Sequence, residues 1–399
     1  MDHGTPVARA AQAVSRPRVA LVTSSYTPHF GGVEEHVRQV ARHLLAEGYG
    51  VEVWTVDRGE HLGTGEVDGV LVRYLPTPLP ARSFRGVAHF VAQFPAAWRR
   101  WMDAHRQFRP RVLHVHCFGP NGVYALALHR RTRALLALTS HGETFMDDQG
   151  VFRSSALLRL CLRRAIGRAV AVTAPSEFVL DDLRETYGLD GGKVIPNGVD
   201  LELPTDSALA IRTDQRRYLF GVGRLGVMKG FDLLIDAFAI AELDPDIRLV
   251  IGGDGPERAR LGELIERRGL RDRVELVGRL SPTAVAGAMA GALAVVVPSR
   301  IEAFGIVALE AWRSSTALVM TGRGGAPEFV RDGVDGILFD PEDPAALSRA
   351  LLRVSNDGPL REELAAAGRE RVGEFTWTRV ARAYEELYAA ASGRAEAAE

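Results

Sequence analysis

The sequence predicts two α/β domains, each a doubly wound parallel sheet that helices cover on both faces. Three observations support this fold class. The 399 residues exceed the size at which a single hydrophobic core keeps growing. Short apolar runs alternate with helical stretches in two successive series. A segment rich in turn residues separates the two series.

The first series of strands begins at Val19. Its apolar runs lack the strict alternation of a half-exposed sheet, so we expect them to be buried parallel strands. Residues 34–48 follow the first run and place apolar side chains at helical spacing until Gly48 ends the helix. The strand runs are residues 19–28, 51–56, 70–75, 112–117, 135–140 and 169–176.

The second series repeats the pattern from residue 218. Predicted strands at 218–223, 247–255, 274–278, 294–299 and 317–321 alternate with helices at 230–243, 256–268, 283–290 and 306–314. We expect the linker at about residues 196–215, where Pro, Gly, Asn and Asp cluster. The predicted units are a loosely ordered N-terminus over 1–17, a first domain over 18–200, a second domain over 201–375 and an amphipathic C-terminal helix over 376–392.

The balanced charge of the chain argues against attraction of nucleic acid or anionic membranes by the overall electrostatic field of the protein. There are 49 Lys and Arg against 50 Asp and Glu, a net charge of −1. The two cysteines cannot form a disulfide framework and fit a reducing compartment. The chain shows no signal-peptide core and no apolar run of about 18 residues. We therefore expect a cytoplasmic protein.

A glycine turn at residues 221–226 has the Gly-x-Gly-x-x-Gly spacing of dinucleotide-binding loops. That interpretation requires an acidic residue about 20 residues later at the end of the next strand. Here the next strand ends roughly 30 residues later, in the glycine turn at 252–255. A Walker phosphate loop is absent from the sequence. The same turn carries Arg224 and Lys229 before a helix N-terminus, which together indicate a site for a diphosphate that needs no metal.

A pair of glutamates marks the region before the fourth helix of the second series. Glu302 precedes the predicted helix and Glu310 lies in its second turn. A carboxylate accepts two hydroxyl hydrogen bonds at once, which suits the adjacent hydroxyls of a ribose or a pyranose. The amides of Phe304, Gly305 and Ile306 are expected to point at an anion bound between the domains.

Histidines follow two strands of the first series. His114 and His116 lie two residues apart on one strand and face the same side, but no third ligand has usable spacing for a metal, so we favour a core or cleft-edge pair. His141 stands at the carboxyl end of the next strand, where ligands bind in open α/β sheets. No Gly-x-Ser-x-Gly elbow accompanies the serines, so a hydrolase triad lacks support.

Six motifs in order resemble glycosyltransferase family 4, over about residues 18–390. They are Gly31-Gly32-Val33-Glu34, His141-Gly142, Pro196-Asn197-Gly198-Val199-Asp200, Gly223-Arg224-Leu225 with Lys229-Gly230, Gly253-Asp254-Gly255-Pro256, and Glu302-x7-Glu310. The resemblance implies a GT-B fold, in which two Rossmann-like domains face each other across a cleft and a C-terminal helix crosses back to the first domain. It also implies a retaining enzyme whose co-substrate is a nucleotide-diphosphate sugar, without a metal or other cofactor.

The resemblance assigns roles to residues of the second domain. Arg224 and Lys229 would hold the donor diphosphate and stabilise the leaving nucleotide, and Glu302 would hold hydroxyls of the donor sugar. Glu310 would bind the ribose. The other donor-binding residues that it implies are Gly32, Gly223, Phe304, Gly305, Ile306, Arg279 and Leu280, of which the last two would border the nucleobase.

The resemblance also places residues of the first domain near the reaction. Gly32 would let its loop approach the phosphate and sugar, and His141 would lie over the sugar near the reacting carbon. His116 and Glu143 are the predicted acceptor contacts. Two departures lie beside the donor site: Ala303 replaces a common glycine, and Trp312 and Arg313 replace the usual turn after Glu310. These departures bear on the identity of the donor.

Two arginine-rich segments could either contact an anionic membrane or form ordinary packed helices. Residues 82–109 carry six arginines, from Arg82 onward, interleaved with aromatic residues, and residues 153–168 carry five arginines in a leucine-rich helix. We favour packed helices with solvated arginines over peripheral contact with an anionic membrane. Nucleic-acid binding is not expected, because no recognised module accompanies the charge.

Other functions on related folds stay open from the sequence. A sugar-nucleotide epimerase would release an altered free sugar without an acceptor, and a phosphorylase would carry a bound pyridoxal cofactor. A non-catalytic subunit would bind the nucleotide sugar without turnover. A nicotinamide-dependent oxidoreductase would be stabilised by NAD rather than by UDP or GDP.

Overall fold

The computed structural model of the protein describes residues 16–29, 31–81, 83–147, 150–204 and 217–397. Most of the predicted loosely ordered N-terminus, Arg82 and residues 205–216 of the predicted linker lie outside the described residues. Within them, the chain forms two sheets, each with helices on both faces. The predicted fold class, two Rossmann-like doubly wound domains, is confirmed.

The first domain is built on an eight-stranded sheet. Its strands are β1 (Val19–Thr23), β2 (Val51–Val56), β3 (Thr64–Val67), β4 (Val70–Leu75), β5 (Val112–His116), β6 (Leu135–Thr139), β7 (Ala171–Ala174) and β8 (Lys193–Val194). They follow the spatial order β3-β4-β2-β1-β5-β6-β7-β8. The side chains of β1 and β5 are all buried, as expected for central strands covered on both faces.

Six helices connect these strands. They are α1 (Gly32–Ala46), α2 (Phe84–Phe108), α3 (Pro120–Arg131), α4 (Val151–Ser154), α5 (Ala156–Ile166) and α6 (Glu177–Tyr187). The buried residues of α1, among them Val37, Val40 and Leu44, recur at helical spacing and face the sheet.

One strand departs from the predicted all-parallel sheet. β3 pairs antiparallel with β4 at the sheet edge. The connecting residues Asp68 and Gly69 both adopt positive φ, at 51° and 78°. Two consecutive positive φ values close a tight hairpin whose twist matches the strands, so the chain returns beside itself instead of crossing over.

The second domain has a six-stranded parallel sheet. Its strands are β9 (Tyr218–Val222), β10 (Arg248–Gly252), β11 (Val274–Gly278), β12 (Ala294–Val297), β13 (Ala317–Thr321) and β14 (Ile337–Phe339), in the order β11-β10-β9-β12-β13-β14. Its helices are α7 (Phe231–Ile240), α8 (Arg258–Arg267), α9 (Pro282–Ala290), α10 (Ile306–Arg313), α11 (Pro344–Asn356) and α12 (Gly358–Arg371).

The last helix, α13 (Trp377–Ala397), returns to the first domain. It packs beside α1 in one apolar cluster, to which it contributes Trp377, Val380, Tyr384, Leu387 and Tyr388. The start of the predicted linker is also packed, because the Val199 amide donates to the Phe375 carbonyl, N···O 3.0 Å. The return of α13 therefore joins both ends of the second domain to the first.

The first half of α2 carries an exposed apolar stripe. Phe84 is 96% exposed and Val91 is 62% exposed. Val87 and Phe94, on the same helix, are also exposed. The second half of the same helix is anchored by Trp101, which is fully buried against Trp54. Among the described residues, no helix is both long enough and apolar enough to cross a membrane.

Candidate functional site

The carboxyl ends of the two sheets meet at what we call the interdomain site. It consists of the loops after β9 and β12 in the second domain and the loops after β1 and β6 in the first. Parallel sheets place their connecting loops at this edge, which is where ligands bind in such folds.

Lys229 and Glu302 form an ion pair at the centre of the second domain's side of this site. The Lys229 Nζ lies 2.7 Å from a Glu302 carboxylate oxygen, which also accepts a hydrogen bond from the Ser299 hydroxyl at 2.8 Å. The Glu302 side chain is 6% exposed, whereas that of Lys229 is 34% exposed. The pair therefore fixes a carboxylate in the wall and leaves the ammonium open to a ligand.

Arg300 holds the two loops that carry this pair. Its guanidinium binds both carboxylate oxygens of Asp232 at 2.8 Å and the Val227 carbonyl at 2.7 Å. Its amide donates to the carbonyl of Met228, N···O 2.9 Å. A two-pronged contact of this kind is both strong and geometrically specific. It fixes the turn before α7 against the loop after β12.

Glycines permit the close approach of these loops. Gly230 has φ 65°, and a Cβ at this position would lie 2.0 Å from the Pro298 carbonyl oxygen. A Cβ at Gly253 would lie 1.8 Å from the carbonyl oxygen of Gly223. No larger residue fits either position without moving the backbone. The glycine turn at 221–226 therefore lets the neighbouring loop pack closely against it, in addition to carrying Arg224 into the site.

Arg224 lies in that turn and is exposed. Among the described residues, its guanidinium has no hydrogen-bond or ion-pair partner. The predicted Arg224 and Lys229 cations thus occur on one loop beside the start of α7. An unpaired cation on a rigid turn is ready for a ligand anion, because no internal pair has to be broken.

The N-terminus of α10 supplies the predicted backbone donors. Gly305 caps the helix, and its φ of 93° and the absence of a side-chain cap leave the first N–H groups open. Within the part of the chain that the structure describes, no protein acceptor takes the amides of Phe304, Gly305 or Ile306. Phe304 is buried and stacks on Phe329 with ring centroids 4.2 Å apart. Packing thus fixes the direction of these amides.

Glu310 lies one turn further along α10 and is half-buried. Burial raises the pKa of its carboxyl, an effect that the Glu35 carboxylate of the first domain strengthens and the Arg313 guanidinium opposes. Charge on the first turn of α1, in the other domain, thus acts on Glu310. Arg313, one of the predicted departures, is buried and donates to the carbonyl of Asp200, N···O 3.2 Å.

Residues of the first domain touch α10 and the loop before it. A Cβ at Gly32, the first residue of α1, would lie 3.7 Å from Ile306 Cδ1. A Cβ at Gly142 would lie 3.0 Å from the methyl of Ala303. Ala303 is buried and belongs to the apolar cluster of the first domain. The two glycine loops therefore bring the backbone of the first domain against the residues that flank Glu302.

Four histidines of the first domain, one of which is His141, form a cluster. Ring centroids lie 4.1 Å apart for His114 and His116, 4.8 Å for His36 and His141, and 5.6 Å for His116 and His141. His36, His114 and His116 are buried, while His141 is half-buried. Burial lowers the pKa of all four, to about 4 for His36 and about 3 for His114. The cluster is therefore neutral at physiological pH.

The deeper histidines are bound to α13 and to the predicted linker. His36 Nδ1 donates to the Asn197 side-chain oxygen at 2.7 Å, and the Tyr384 hydroxyl donates to His36 Nε2 at 3.0 Å. His114 bonds the Tyr388 hydroxyl at 2.6 Å and the Thr139 hydroxyl at 2.7 Å. The return of α13 thus completes a buried hydrogen-bond network around His36 and His114.

Sequence spacing offered no third ligand for the His114 and His116 pair, but His116 has two other histidines close to it in space. His36, His116 and His141 each offer a nitrogen atom within 4.8 Å of the others, because α1 and the loop after β6 converge there. Sequence spacing along β5 cannot show that convergence. Both nitrogens of His36 are already bonded, so a metal ion would have to break one of these contacts. We interpret the cluster as buried neutral histidines, of which His36 and His114 are hydrogen-bonded to α13 and His116 to His141.

Glu143 supports the His141 loop from inside the first domain. Its carboxylate accepts hydrogen bonds from the amides of Phe118 and His141 and from the Ser140 hydroxyl, at 2.8, 2.7 and 3.0 Å. Burial nevertheless raises the pKa of this carboxyl. These contacts occupy both oxygens, so an acceptor at Glu143 would have to share them. The predicted acceptor role of Glu143 and of buried His116 stays a prediction.

Arg279 and Leu280 lie beside the second glycine turn. Arg279 Nε is 3.7 Å from an Asp254 carboxylate oxygen, and both side chains are exposed. Leu280 packs against Gly252, where a Cβ would lie 3.0 Å from Leu280 Cδ1. The structure therefore groups these two residues with the turns that carry Arg224.

Three residues that hold the loops and domains together at this site were not predicted from the sequence. The Ser176 hydroxyl donates to the Ala303 carbonyl, and the Glu328 carboxylate accepts from the two amides at the start of α6. No local sequence pattern distinguishes these two residues or Arg300 from other polar residues. Asn197 belongs to the motif Pro196-Asn197-Gly198-Val199-Asp200, but the turn residues of that motif predicted only a linker. The position of Arg300, two residues before Glu302, was the only feature of the sequence that could have drawn attention to it.

Two family models match the chain, one for each domain. The model described as Glycosyltransferase Family 4 matches residues 30–203. The model described as Glycosyl transferases group 1 matches residues 206–371. Among curated relatives, D-inositol 3-phosphate glycosyltransferase from Frankia alni is 32% identical over 88% of this chain and 92% of its own length.

Solved structures share the fold over nearly the whole chain. Sucrose-phosphate synthase from Thermosynechococcus elongatus matches with a TM-score of 0.78 and 24% identity, over 94% of this chain and all of that chain. HepE from Anabaena, in complex with UDP, matches with a TM-score of 0.74 and 19% identity, over 94% of this chain and all of that chain. These structures have the GT-B fold predicted from the resemblance.

Proposed function

The chain belongs to family 4 of the glycosyltransferases, and we propose that it transfers a hexose from a UDP- or GDP-linked donor to a hydroxyl of a small molecule, glycan or lipid. In this proposal the reaction retains the anomeric configuration and needs neither a metal nor another cofactor. The catalytic residues are Arg224, Lys229, His141 and Glu302.

The pairing of Lys229 with Glu302 carries the proposal. Cleavage of a bond between a sugar and a diphosphate develops positive charge at the anomeric carbon and negative charge on the leaving group. Lys229 is fixed by Glu302 at 2.7 Å, and Arg224, which has no partner among the described residues, lies on the same loop. Fixed cations at the leaving group lower the barrier because they need no reorganisation during the reaction.

The two glutamates fit the hydroxyl-bearing parts of the donor. One Glu302 oxygen is bonded by Lys229 and Ser299, while the other has no partner among the described residues. Glu310 lies in the second turn of α10, where it would bind the ribose, and the amides at the start of α10 would bind phosphate oxygens. Arg279 and Leu280 would border the base.

The first domain would supply the acceptor side. The His141 loop lies against Ala303, next to Glu302, so a sugar held by Glu302 would lie under His141. The Frankia relative acts by its name on an inositol phosphate, and HepE was solved with UDP. These names support a polyhydroxylated acceptor and a uridine donor as the first compounds to test.

A melting-shift panel tests the donor half of the proposal. UDP, GDP, their sugars and NAD are compared, and one nucleoside diphosphate is expected to raise the melting temperature in the absence of metal. Stabilisation by NAD alone would instead favour an oxidoreductase. Ultraviolet absorption of the pure protein shows whether a pyridoxal cofactor of the phosphorylase type is present.

Proton NMR of the products tests the reaction. A retained anomeric configuration on a new glycoside is expected. An altered free sugar without an acceptor would indicate an epimerase, and donor binding without turnover of any acceptor would indicate a non-catalytic subunit. An inverted product would contradict the retaining mechanism.

Peripheral contact with an anionic membrane is a separate part of the proposal, together with a location in the cytoplasm or on the inner membrane face. The exposed stripe of Phe84, Val87, Val91 and Phe94 supports it, since arginines flank these side chains and Asp103 is the first acidic residue of α2. Cosedimentation with anionic vesicles at low salt is expected, and binding should fall when Phe84 is replaced by Ser. No binding at low salt would remove this part.

A further inference from the structure

His116 and His141 share one hydrogen bond whose direction determines what His141 offers to a substrate. His116 Nδ1 lies 3.3 Å from His141 Nε2. The rings stack with an interplanar angle of 30°. Only one of the two nitrogens carries the shared hydrogen, because both rings are buried enough to be neutral.

The other nitrogen of His116 decides between the two directions. His116 Nε2 is buried and has no hydrogen-bond partner among the described residues. If this atom carried a hydrogen, a buried N–H group would have no acceptor, which is rarer and costlier in proteins than an unused lone pair. The favourable form of His116 therefore has its hydrogen on Nδ1 and donates it to His141 Nε2.

The form of His141 follows from that donation. Its Nε2 accepts, so the single ring hydrogen of neutral His141 is on Nδ1. Among the described residues no acceptor bonds this Nδ1, and the ring is half-buried at the interdomain site. His141 thus presents one N–H donor to whatever lies between the domains. Glu143 fixes the backbone of the same residue through its amide, 2.7 Å away.

We propose that His116 is the positioning residue that holds His141 in the tautomer with its hydrogen on Nδ1 and directs that N–H toward the donor sugar. The assignment rests on the proposed function for the identity of the sugar, but not for the tautomer. This role replaces the acceptor contact predicted for His116, because the buried His116 ring touches no substrate in this proposal. It acts through His141, as an orienting group acts on a ring that has two possible hydrogen positions.

Two variants separate this role from packing. In H116N the amide nitrogen is bonded to Cγ, as Nδ1 is in histidine, and retains a donor near the same place. In H116L a side chain of similar size has no donor. H129N is the matched control, because His129 lies on α3 away from the cluster and its Nδ1 bonds the Ala134 carbonyl at 2.8 Å.

Selective ¹⁵N labelling of histidine tests the tautomer directly, with the His141 signals identified by their loss in H141Q. The wild-type protein and H116N are expected to show hydrogen on Nδ1 of His141, and H116L is expected to show a mixture. Hydrogen on Nε2 in the wild-type protein would overturn the proposal, and so would an unchanged single tautomer in H116L.

Kinetics test the consequence for turnover. In H116L kcat should fall about tenfold to a hundredfold, the cost of a misdirected group, with an unchanged KM for the donor. H116N should recover most of kcat, and H129N should match the wild type. An unchanged kcat in folded H116L would overturn the positioning role. The predicted tautomer in a protein that shows no transfer would support the assignment and contradict the proposed function.

Discussion

The hydroxyl of Ser176 in the first domain donates a hydrogen bond to the carbonyl of Ala303 in the second domain, O···O 2.6 Å. Ser176 is the N-cap residue of α6, yet its side chain does not cap that helix. The Glu328 carboxylate of the second domain does so instead, accepting from the amides of Glu177 and Phe178 at 2.7 and 2.8 Å. Contact between the domains therefore completes a helix terminus.

We predict that E328A weakens the closed arrangement of the domains. Loss of a capping carboxylate costs about 1 kcal/mol and here also removes two contacts between domains. The KM for the donor should rise severalfold, and the radius of gyration from small-angle scattering should increase. D357A is the matched control, because Asp357 caps α12 within its own domain through the Leu360 amide at 3.0 Å. Equal scattering changes in both variants would refute the coupling.

We predict that R224A and K229A each lower kcat about a hundredfold to a thousandfold, the typical loss for one fixed stabiliser of transition-state charge. The melting temperature of R224A should be unchanged, since no described residue pairs with its guanidinium. K229A should lose some stability, because Glu302 stays buried without its partner. The control is R260A on the surface of α8. Turnover within a few-fold of wild type in both site variants would contradict the diphosphate role.

We predict that nucleotide affinity depends on the ionisation of Glu310. The pKa of this carboxyl is raised by burial, so it takes up a proton at a higher pH than an ordinary glutamate, whose pKa is about 4.3. Protonation removes acceptor capacity for the ribose hydroxyls, and the Kd should therefore increase as pH falls through the raised pKa.

Isothermal titration at several pH values measures this dependence. E310Q should bind the nucleotide weakly at all pH values. Any pH dependence of Kd that remains in E310Q comes from the phosphate groups of the ligand. Identical pH profiles for the wild type and E310Q would exclude Glu310 from ribose binding.

We predict that buried His36 makes the protein sensitive to acid. Its pKa is about 4 in the folded state and about 6.5 in the unfolded chain. Above pH 6.5 both states are neutral at this residue. As pH falls from 6.5 toward 4 only the unfolded chain takes up the proton, so the free energy of unfolding declines, by about 3 kcal/mol for His36 alone.

Urea unfolding between pH 7 and pH 4 measures the slope. H36N should be less stable than the wild type at pH 7, because contacts to Asn197 and Tyr384 are lost, but its slope should be shallower by up to one proton. H61N is the control, since the His61 side chain is 86% exposed. A slope that is the same in all three proteins would show that His36 does not titrate on unfolding.

The strands and helices could be predicted because each depends on neighbours a few positions away. Predicted strands at 51–56, 70–75, 274–278 and 317–321 coincide with β2, β4, β11 and β13. The main departure, antiparallel β3, came from backbone conformations at Asp68 and Gly69 that an apolar pattern does not register. The motifs also placed Arg224, Lys229 and Glu302 on adjoining loops, because parallel strands end at the same edge of a sheet.

The sequence by itself determined two doubly wound domains, a family, and a second domain whose cations and carboxylates lie on neighbouring turns. Only the tertiary structure decided which groups hold them. His36 meets Tyr384 across 348 positions, and Glu328 caps a helix that starts 151 positions earlier. Such contacts arise when distant elements pack, and hydrogen-bond partners are selected by that packing, so no local pattern of residues encodes them.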